Sequence, residues 1–150
     1  MRVLILVLFT VILLAGCGSE TRYQDTSGKT ITQTSLKGHW VVINYWAPWC
    51  HSCIEEIPEL NRFSKNHSNI QMLGVDYDGA TGERLNKAIA MMGINYPVLT
   101  ANPQADWQLD KVSVLPTTFV INPEGNVVKT IVGPTRSKDL AQIVTTNPTL

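Results

Sequence analysis

Residues 40–53 read WVVINYWAPWCHSC and join two kinds of hydrophobic pattern. The segment Trp40–Trp46 is β-branched or aromatic apart from one asparagine, which predicts a buried strand. From Cys50 onward, apolar residues recur at spacings of three and four, which predicts an amphipathic helix over 51–65. The C-x-x-C sequence formed by Cys50 and Cys53 therefore lies where the strand passes into the helix.

The position of these two cysteines suits thiol–disulfide chemistry. At a helix N-terminus, unpaired backbone N–H groups and the helix dipole favour a thiolate, which is the attacking species in disulfide exchange. Cys53, one turn later on the same face, can reach back to resolve a mixed disulfide formed at Cys50. A bridge between them closes so small a ring that it adds little chain-entropy stabilisation, so a purely structural disulfide explains the pair poorly.

A C-x-x-C pair also occurs in metal sites. Structural zinc sites need four ligands, and the further candidates are His39, His51 and His67, with no second cysteine pair. We therefore expect no zinc site. Soft thiolates suit Cu(I), so a copper-handling protein with Cys50, Cys53 and His51 as ligands stays open as an alternative.

The remaining sequence alternates between strand-like and helix-like patterns. Strands are predicted at 70–76, 117–121 and 127–132, helices at 83–92, 106–111 and 137–145, and weaker extended pieces at 30–33 and 96–99. A β-α-β unit implies parallel strands, whereas the turn-forming sequence NPEG at 122–125 joins the last two strands as an antiparallel hairpin. The expected fold class is α/β, with a mixed central sheet and helices on both faces.

Composition restricts the class of protein. The chain has 150 residues, of which 44% are hydrophobic and 16% charged, so we expect one domain with a packed core rather than a disordered chain. Twelve basic and twelve acidic residues give zero net charge, and nothing in that balance favours nucleic acid as a partner. Three cysteines are too few for a disulfide-dense scaffold.

The N-terminal segment has the pattern of an export signal. Arg2 precedes a run over 3–15 whose only polar member is Thr10, and this run is shorter than the ~20 residues of a membrane span. Residues 13–17, LLAGC, resemble the lipobox of bacterial lipoproteins, in which the cysteine is lipidated and becomes the new N-terminus. An ordinary signal peptide or an uncleaved anchor is the alternative interpretation.

This resemblance divides the chain into three parts. We expect a lipoprotein signal peptide at 1–16, a polar tether over 17–27 that begins with lipidated Cys17, and one folded domain over 28–150. With Cys17 acylated, Cys50 and Cys53 remain as the two free thiols on the oxidising side of a bacterial membrane.

Two motifs of the domain over 28–150 carry a resemblance to a known family, which makes this domain thioredoxin-like. Residues 46–53, WAPWCHSC, carry the C-x-x-C of the thioredoxin superfamily, and residues 115–119, LPTTF, resemble the loop whose cis-proline faces that pair. The chain is more closely similar to the TlpA/ResA-like branch of membrane-anchored periplasmic thiol-disulfide oxidoreductases, through CIEEIP at 53–58 and VLPTTFVINPEG at 114–125. The resemblance spans 28–144 and implies a thioredoxin-like fold.

The resemblance also implies a role for each matched residue. Cys50 is expected to be the nucleophile and Cys53 the resolving thiol. Pro116 is expected to be the cis-proline, and the backbone of Leu115 is expected to pair with an extended substrate segment. Thr117 completes this substrate-binding loop.

An acidic residue follows the cysteine pair within the predicted helix. Glu56 matches the carboxyl group that this branch places near the pair, where it assists proton transfer to and from Cys53. Thioredoxins proper carry a buried aspartate six residues before the first cysteine, and here that position is Asn44. Because an amide takes no proton, the acid–base task must move elsewhere, which supports Glu56. The alternative is an ordinary carboxylate in the first turns of a helix.

Residues between and beside the cysteines are candidates for tuning and for contact. His51 and Ser52 are candidates for redox tuning, since a protonated imidazole beside Cys50 favours the thiolate and an oxidising couple. The alternative is a solvated His51 with little influence. Trp49 is expected to line the exposed substrate contact surface, and Trp46 to pack in the core.

The resulting hypothesis is a thiol-disulfide oxidoreductase of the bacterial cell envelope, lipid-anchored on the periplasmic side. By resemblance it reduces disulfides in exported cysteine-containing proteins, in cytochrome c maturation or for one dedicated client. Its electrons are expected from a membrane donor of the DsbD/CcdA type, it needs no cofactor besides its Cys50–Cys53 disulfide, and it is expected to be a monomer. A disulfide oxidase or isomerase, a copper-handling protein and a binding module without turnover are the alternatives.

Overall fold

The computed structural model describes residues 20–146, so the predicted signal peptide at 1–16 and Cys17 lie outside the described residues. In chain order the elements are β1 (Tyr23–Gln24), β2 (Thr30–Ile31), α1 (Gln33–Leu36), β3 (Val41–Trp46), α2 (His51–Asn66), β4 (Gln71–Asp76), α3 (Gly82–Met92), β5 (Val98–Leu99), β6 (Thr117–Ile121), β7 (Val127–Val132) and α4 (Ser137–Thr146). Between residues 20 and 146, no helix combines the length and apolar character needed to cross a bilayer.

Strand β3 is the centre of the main sheet because it is paired on both sides. It runs parallel to β4 and antiparallel to β6 in a five-stranded sheet of order β5-β4-β3-β6-β7. Every residue of β3 and β6 is buried, which is the burial expected of strands covered on both faces. The predicted mixed α/β sheet is confirmed.

One face of this sheet carries the three long helices. From β3 the chain steps to β4 and then to β5 in the same direction, so right-handed crossovers place α2 and α3 over the same face. Their apolar stripes, with that of α4, form one core cluster that includes Phe63 of α2, Leu85 of α3 and Leu140 of α4. We call this side the helix face.

The opposite face is covered without a long helix. Here α1, the hairpin of β1 and β2, and the irregular segment 100–116 pack around Tyr45 and Phe119. The predicted helices on both faces are therefore present but unequal, since α1 has only 4 residues.

The prediction of a helix over 106–111 is wrong. The segment makes a single helix-like turn, in which the Trp107 N–H donates to Pro103 O at 2.9 Å, and it ends where Gln108 takes a left-handed φ of 53°. The Trp107 ring packs edge-to-face on Tyr23, with ring centroids 5.4 Å apart. Tertiary packing of one large side chain therefore replaces the predicted helical periodicity.

The folded domain also begins earlier than predicted. Tyr23 and Asp25, which lie in the predicted tether over 17–27, are buried, and Asp25 forms a bridge to β5. The sequence analysis also missed α1, which begins at a capping box formed by Thr32 and Ser35. The last residues of the tether therefore belong to the domain.

Candidate active site

A disulfide lies where β3 ends and α2 begins. β3 ends at Trp46, a loop follows over 47–49, and Cys50 is the N-cap of α2. Cys50 and Cys53 are joined by an S–S bond of 2.03 Å. The backbone N–H of Cys53 donates to the Cys50 sulfur at 3.2 Å, and Ser52 Oγ lies 3.7 Å from that sulfur. In the reduced pair these groups are placed to stabilise a Cys50 thiolate.

The two cysteines differ in access. Cys50 keeps 6% of its surface exposed, whereas Cys53 is fully buried. Cys50 is therefore the sulfur of the pair that is open to solvent, and its role as the nucleophile stays a prediction.

The proline loop lies at the same end of the sheet. The Leu115–Pro116 bond is cis, as predicted, and β6 begins at the next residue. The Gly133 N–H donates to Pro116 O at 2.8 Å, and the buried Thr117 hydroxyl donates to Val114 O at 2.7 Å. Thr117 thus holds the loop in shape. In the part of the chain that the structure describes, the Leu115 backbone makes no hydrogen bond, so it is available to an added strand.

The two tryptophans of the motif lie in opposite environments. Trp46 is fully buried on the helix face, whereas 65% of the Trp49 surface is exposed. The Trp49 indole N–H donates to Asp78 Oδ2 at 2.8 Å, which holds the exposed ring beside the disulfide loop. Sequence reasoning predicted both environments but missed Asp78, which follows the end of β4.

The predicted proton carrier, Glu56, is almost completely buried on α2, one turn after Cys53. Its Oε1 accepts a hydrogen bond from Asn44 Nδ2 at 2.7 Å, and its Oε2 accepts one from the Thr135 N–H at 2.9 Å. Asn44, which departs from the aspartate of thioredoxins proper, thus contacts the carboxyl group proposed to replace that aspartate. Both oxygens of this buried carboxyl group therefore accept a hydrogen bond from an N–H donor.

A wider hydrogen-bond network surrounds this contact. Asn44 Nδ2 also donates to Thr118 Oγ1 at 3.0 Å, and the Tyr96 hydroxyl donates to Asn44 Oδ1 at 3.2 Å. Sequence reasoning missed Tyr96, Thr118 and Thr135. The register that pairs Asn44 with Thr118 across β3 and β6 could have identified Thr118, whereas nothing in the sequence near Tyr96 or Thr135 signals their contacts.

Burial sets the acid–base properties of the network. It raises the pKa of Glu56 from its ordinary 4.5 to about 7, against the hydrogen bonds from Thr135 and Asn44, which lower it. Burial, together with the negative charge of Glu56, also raises the pKa of Tyr96 well above 10. Glu56 therefore titrates near neutral pH, and the Tyr96 hydroxyl keeps its proton throughout that range.

None of the three histidines is buried with the disulfide. The His51 side chain is 88% exposed, and its Nε2 lies 3.3 Å from Glu55 Oε1. His39 is exposed, and His67 stacks on Phe63 at the other end of α2. Across residues 20–146, no three His, Cys, Asp or Glu side chains are grouped closely enough to hold a metal ion.

The sequence matches proteins of known chemistry. The profile of the AhpC/TSA family matches residues 19–130. The thiol-disulfide oxidoreductase ResA of Bacillus subtilis is 35% identical over 112 residues, which cover 73% of this chain and 62% of that relative. This chain thus spans about three fifths of the length of ResA.

Solved structures resemble the fold over most of both chains. A thioredoxin family thiol:disulfide interchange protein from Chlorobium tepidum has a TM-score of 0.67 at 29% identity, over 85% of this chain and 92% of that one. The exposed lipoprotein thioredoxin of Streptococcus pneumoniae has a TM-score of 0.67 at 26% identity, over 83% of this chain and 97% of that one. Both likenesses confirm the predicted thioredoxin-like fold. Because the family profile covers most of the sequence, the chain belongs to the AhpC/TSA family of thioredoxin-like proteins.

Proposed function

We propose that this protein is a thiol-disulfide oxidoreductase that reduces disulfides in exported, cysteine-containing proteins. The observation that carries the proposal is the Cys50–Cys53 disulfide at the N-terminus of α2, with 6% of Cys50 exposed and Cys53 fully buried. The likeness to ResA and to a thiol:disulfide interchange protein supports this chemistry. Cytochrome c maturation is one pathway that needs such a reductase.

The geometry supports a two-step exchange. The Cys50 thiolate attacks one sulfur of the client disulfide, and the other client sulfur leaves as a thiolate that takes a proton from solvent. The Glu56 carboxylate then accepts the proton of Cys53, whose thiolate attacks Cys50 and releases the second client thiolate. The client gains two electrons, and the protein is left with the Cys50–Cys53 disulfide. A membrane dithiol donor of the DsbD/CcdA type then reduces this disulfide.

The client is proposed to bind beside the proline loop. An extended client segment pairs with the free backbone of Leu115, next to Pro116, and lies against the exposed ring of Trp49. Main-chain pairing of this kind aligns the client without demanding a particular sequence. The interaction therefore suits several exported proteins as well as a single one.

The protein is proposed to work as a monomer at the periplasmic side of the membrane, held there by a lipid on Cys17. The lipobox-like residues 13–17 support this location, as does the likeness to an exposed lipoprotein thioredoxin. The experiment is membrane fractionation of Cys17→Ala after a carbonate wash. Release of the variant supports the lipid anchor, whereas its retention in the membrane fraction supports an uncleaved helix.

The roles of the two cysteines are tested with Cys50→Ser and Cys53→Ser. We expect Cys50→Ser to abolish exchange with a disulfide-bonded client peptide and Cys53→Ser to accumulate the mixed disulfide through Cys50. Non-reducing electrophoresis with mass spectrometry detects the trapped adduct. An adduct in Cys50→Ser and none in Cys53→Ser would reverse the assigned roles.

The direction of electron flow is tested by the reduction potential of the protein against glutathione, followed by tryptophan fluorescence. A value at or below roughly −250 mV, near thioredoxin, supports a reductase. A value of about −120 to −180 mV supports an oxidase or isomerase instead. The absence of any two-electron transition would contradict the proposed oxidoreductase activity. A copper titration would then test the alternative of a copper-handling protein.

A further inference from the structure

The hydrogen bonds of Asn44 determine how the carboxyl group of Glu56 is held. We call Asn44, Glu56, Tyr96 and Thr118 the polar cluster; all four side chains are buried on the helix face of the sheet. The cluster brings together β3, α2, β6 and the segment before β5. Apart from Glu56, its members play no part in the two-step exchange described above.

Each polar atom of the Asn44 side chain has a partner. The two hydrogens of Nδ2 are donated to Glu56 Oε1 at 2.7 Å and to Thr118 Oγ1 at 3.0 Å. The single acceptor, Oδ1, receives the hydroxyl of Tyr96 at 3.2 Å. An amide rotated by 180° would turn Oδ1 towards the carboxylate and remove the donor that Glu56 uses. The Tyr96 hydroxyl thus stabilises the amide orientation in which Asn44 donates to Glu56.

We infer that Tyr96 is a positioning residue that acts through Asn44 to hold Glu56 in place for accepting the Cys53 proton. The inference rests on the proposed function, since it assigns a role in the same proton transfer. The Tyr96 hydroxyl donates to Asn44, and within residues 20–146 no hydrogen bond joins it to either sulfur.

The other groups near Glu56 do not explain how the Asn44 amide is oriented towards its carboxyl group. The Thr135 N–H holds the second carboxyl oxygen and is part of the backbone. A surface groove between α2 and α4 borders Glu56 and carries Glu59, Arg136 and Asp139, together with Glu55. Hydrogen bonds lower the pKa of Glu59 and of Asp139, so both stay charged near neutral pH, where burial places the pKa of Glu56. A carboxyl titration near pH 7 therefore reports on Glu56.

A purely structural role for Tyr96 is separable from this one. Its ring also fills space in the core, close to Gly74. Tyr96→Phe keeps the ring and removes only the hydroxyl. Tyr45→Phe is the matched control, because Tyr45 is also buried and its hydroxyl donates to Asn102 Oδ1 at 2.9 Å on the opposite face of the sheet.

The test is a pH titration of the Glu56 carboxyl carbon by NMR in the purified oxidised protein, with the resonance assigned by its loss in Glu56→Gln. Losing the Tyr96 hydroxyl weakens a donor to the carboxylate, so we expect Tyr96→Phe to raise the midpoint by about half a pH unit. Tyr45→Phe should leave it unchanged. Equal midpoints in wild type and Tyr96→Phe, or equal shifts in the two variants, would overturn the inference.

A second variant tests whether Tyr96 acts through Asn44. Asn44→Ala should itself raise the midpoint, and adding Tyr96→Phe to it should then cause no further shift. A further shift in the double variant would show that Tyr96 acts on Glu56 by another route, and would overturn the inference.

The rate of mixed-disulfide resolution gives an independent readout. Below the midpoint this rate follows the carboxylate fraction, so Tyr96→Phe should be about threefold slower than wild type at pH 6 and equal to it at pH 9. A uniform loss at every pH would indicate a structural defect and contradict the inference. If the wild-type protein exchanges no disulfide, the proposed function fails, whereas the carboxyl titration still decides the positioning role.

Discussion

The two faces of the central sheet are equally buried along β3 but differ in polarity. On the opposite face, Ile43 and Tyr45 pack among apolar side chains, and the Tyr45 hydroxyl reaches Asn102 at the edge of the core. On the helix face, Asn44 lies between apolar neighbours and binds Glu56. Each face therefore has a buried tyrosine bound to an asparagine, and on the helix face that asparagine is also bound to a carboxyl group.

This difference indicates what the buried carboxyl group is for. Removing a carboxylate from water is costly, and two N–H donors do not fully offset that cost, since burial still raises the pKa of Glu56 to about 7. On the opposite face the Tyr45 hydroxyl is bound to the amide of Asn102, and among the described residues no carboxyl group joins that pair. The buried carboxyl group that carries this cost lies one turn from Cys53, where a group that titrates near neutral pH can carry protons.

The largest effect is expected when the helix face loses its proton carrier. Glu56→Gln should slow resolution of the mixed disulfide by about 100-fold at pH 8, the usual contribution of a positioned general base. In the wild type the rate should rise with pH up to about 7 and then level off, because the carboxylate is the reactive form. Rapid-mixing fluorescence measures this step.

The matched control for that rate is Glu55→Gln. Glu55 neighbours Glu56 on α2 but is exposed and contacts His51. We expect its variant to resolve the mixed disulfide at the wild-type rate. Equal losses in both variants would show that α2 as a whole, rather than one carboxyl group, governs the step.

A second effect concerns stability and its dependence on pH. Because the pKa of Glu56 is raised, its stabilising contribution is complete below about pH 4.5 and is lost as the pH rises to about 7. Glu56→Gln should therefore be more stable than the wild type at pH 8, by about 2 kcal/mol, and should show no gain at pH 4. The expected gain in stability is smaller than the free energy that corresponds to the full pKa shift, because glutamine offers one acceptor for two donors.

Glu59→Gln should have the opposite effect and should be less stable than the wild type at neutral pH. Its backbone hydrogen bond from Ser137 lowers the pKa of Glu59, so this carboxylate stabilises the protein at neutral pH and loses that effect on acidification. Urea denaturation at pH 4 and pH 8 measures the free energy of unfolding of the wild type, Glu56→Gln and Glu59→Gln. A loss of stability in Glu56→Gln at pH 8 would contradict the assignment of a desolvated carboxylate.

A third effect tests how tightly the helix face is packed. A Cβ added at Gly74 of β4 would lie 3.0 Å from Trp46 Nε1 and 3.0 Å from Val98 Cγ2. Gly74→Ala should therefore lower the free energy of unfolding by about 1–3 kcal/mol and change the fluorescence of the buried Trp46. In the double variant with Val98→Ala the costs should be less than additive, since one close contact is relieved. Strict additivity would contradict the predicted contact.

The same contrast between faces explains what the sequence could predict. The long helices α2, α3 and α4 have regular apolar stripes, and their ends were predicted to within one residue. The opposite face depends on individual tertiary contacts, such as Trp107 on Tyr23, which leave no periodic signal. For that reason α1 and β1 were missed, and a helix was predicted over 106–111 where turns form.

The candidate site divides in a similar way. Cys50, Cys53 and Pro116 lie in short contiguous motifs and were predicted from them. Asn44 was noted for its departure from a motif. Tyr96 lies far from Asn44 in the sequence and contacts it only when the segment before β5 packs on the helix face, so only the folded structure shows this contact.

The smallest effect is expected at His51, which the sequence analysis considered as a tuning residue. Its side chain is 88% exposed and paired with Glu55, so solvent and the carboxylate both screen any charge that it offers the thiolate. His51→Ala should change the reduction potential by less than about 30 mV, and Ser52→Ala, which removes a hydroxyl 3.7 Å from the Cys50 sulfur, provides the comparison. A shift of about 60 mV or more in His51→Ala would show that an exposed imidazole can govern the couple, and would favour the oxidase alternative over the reductase.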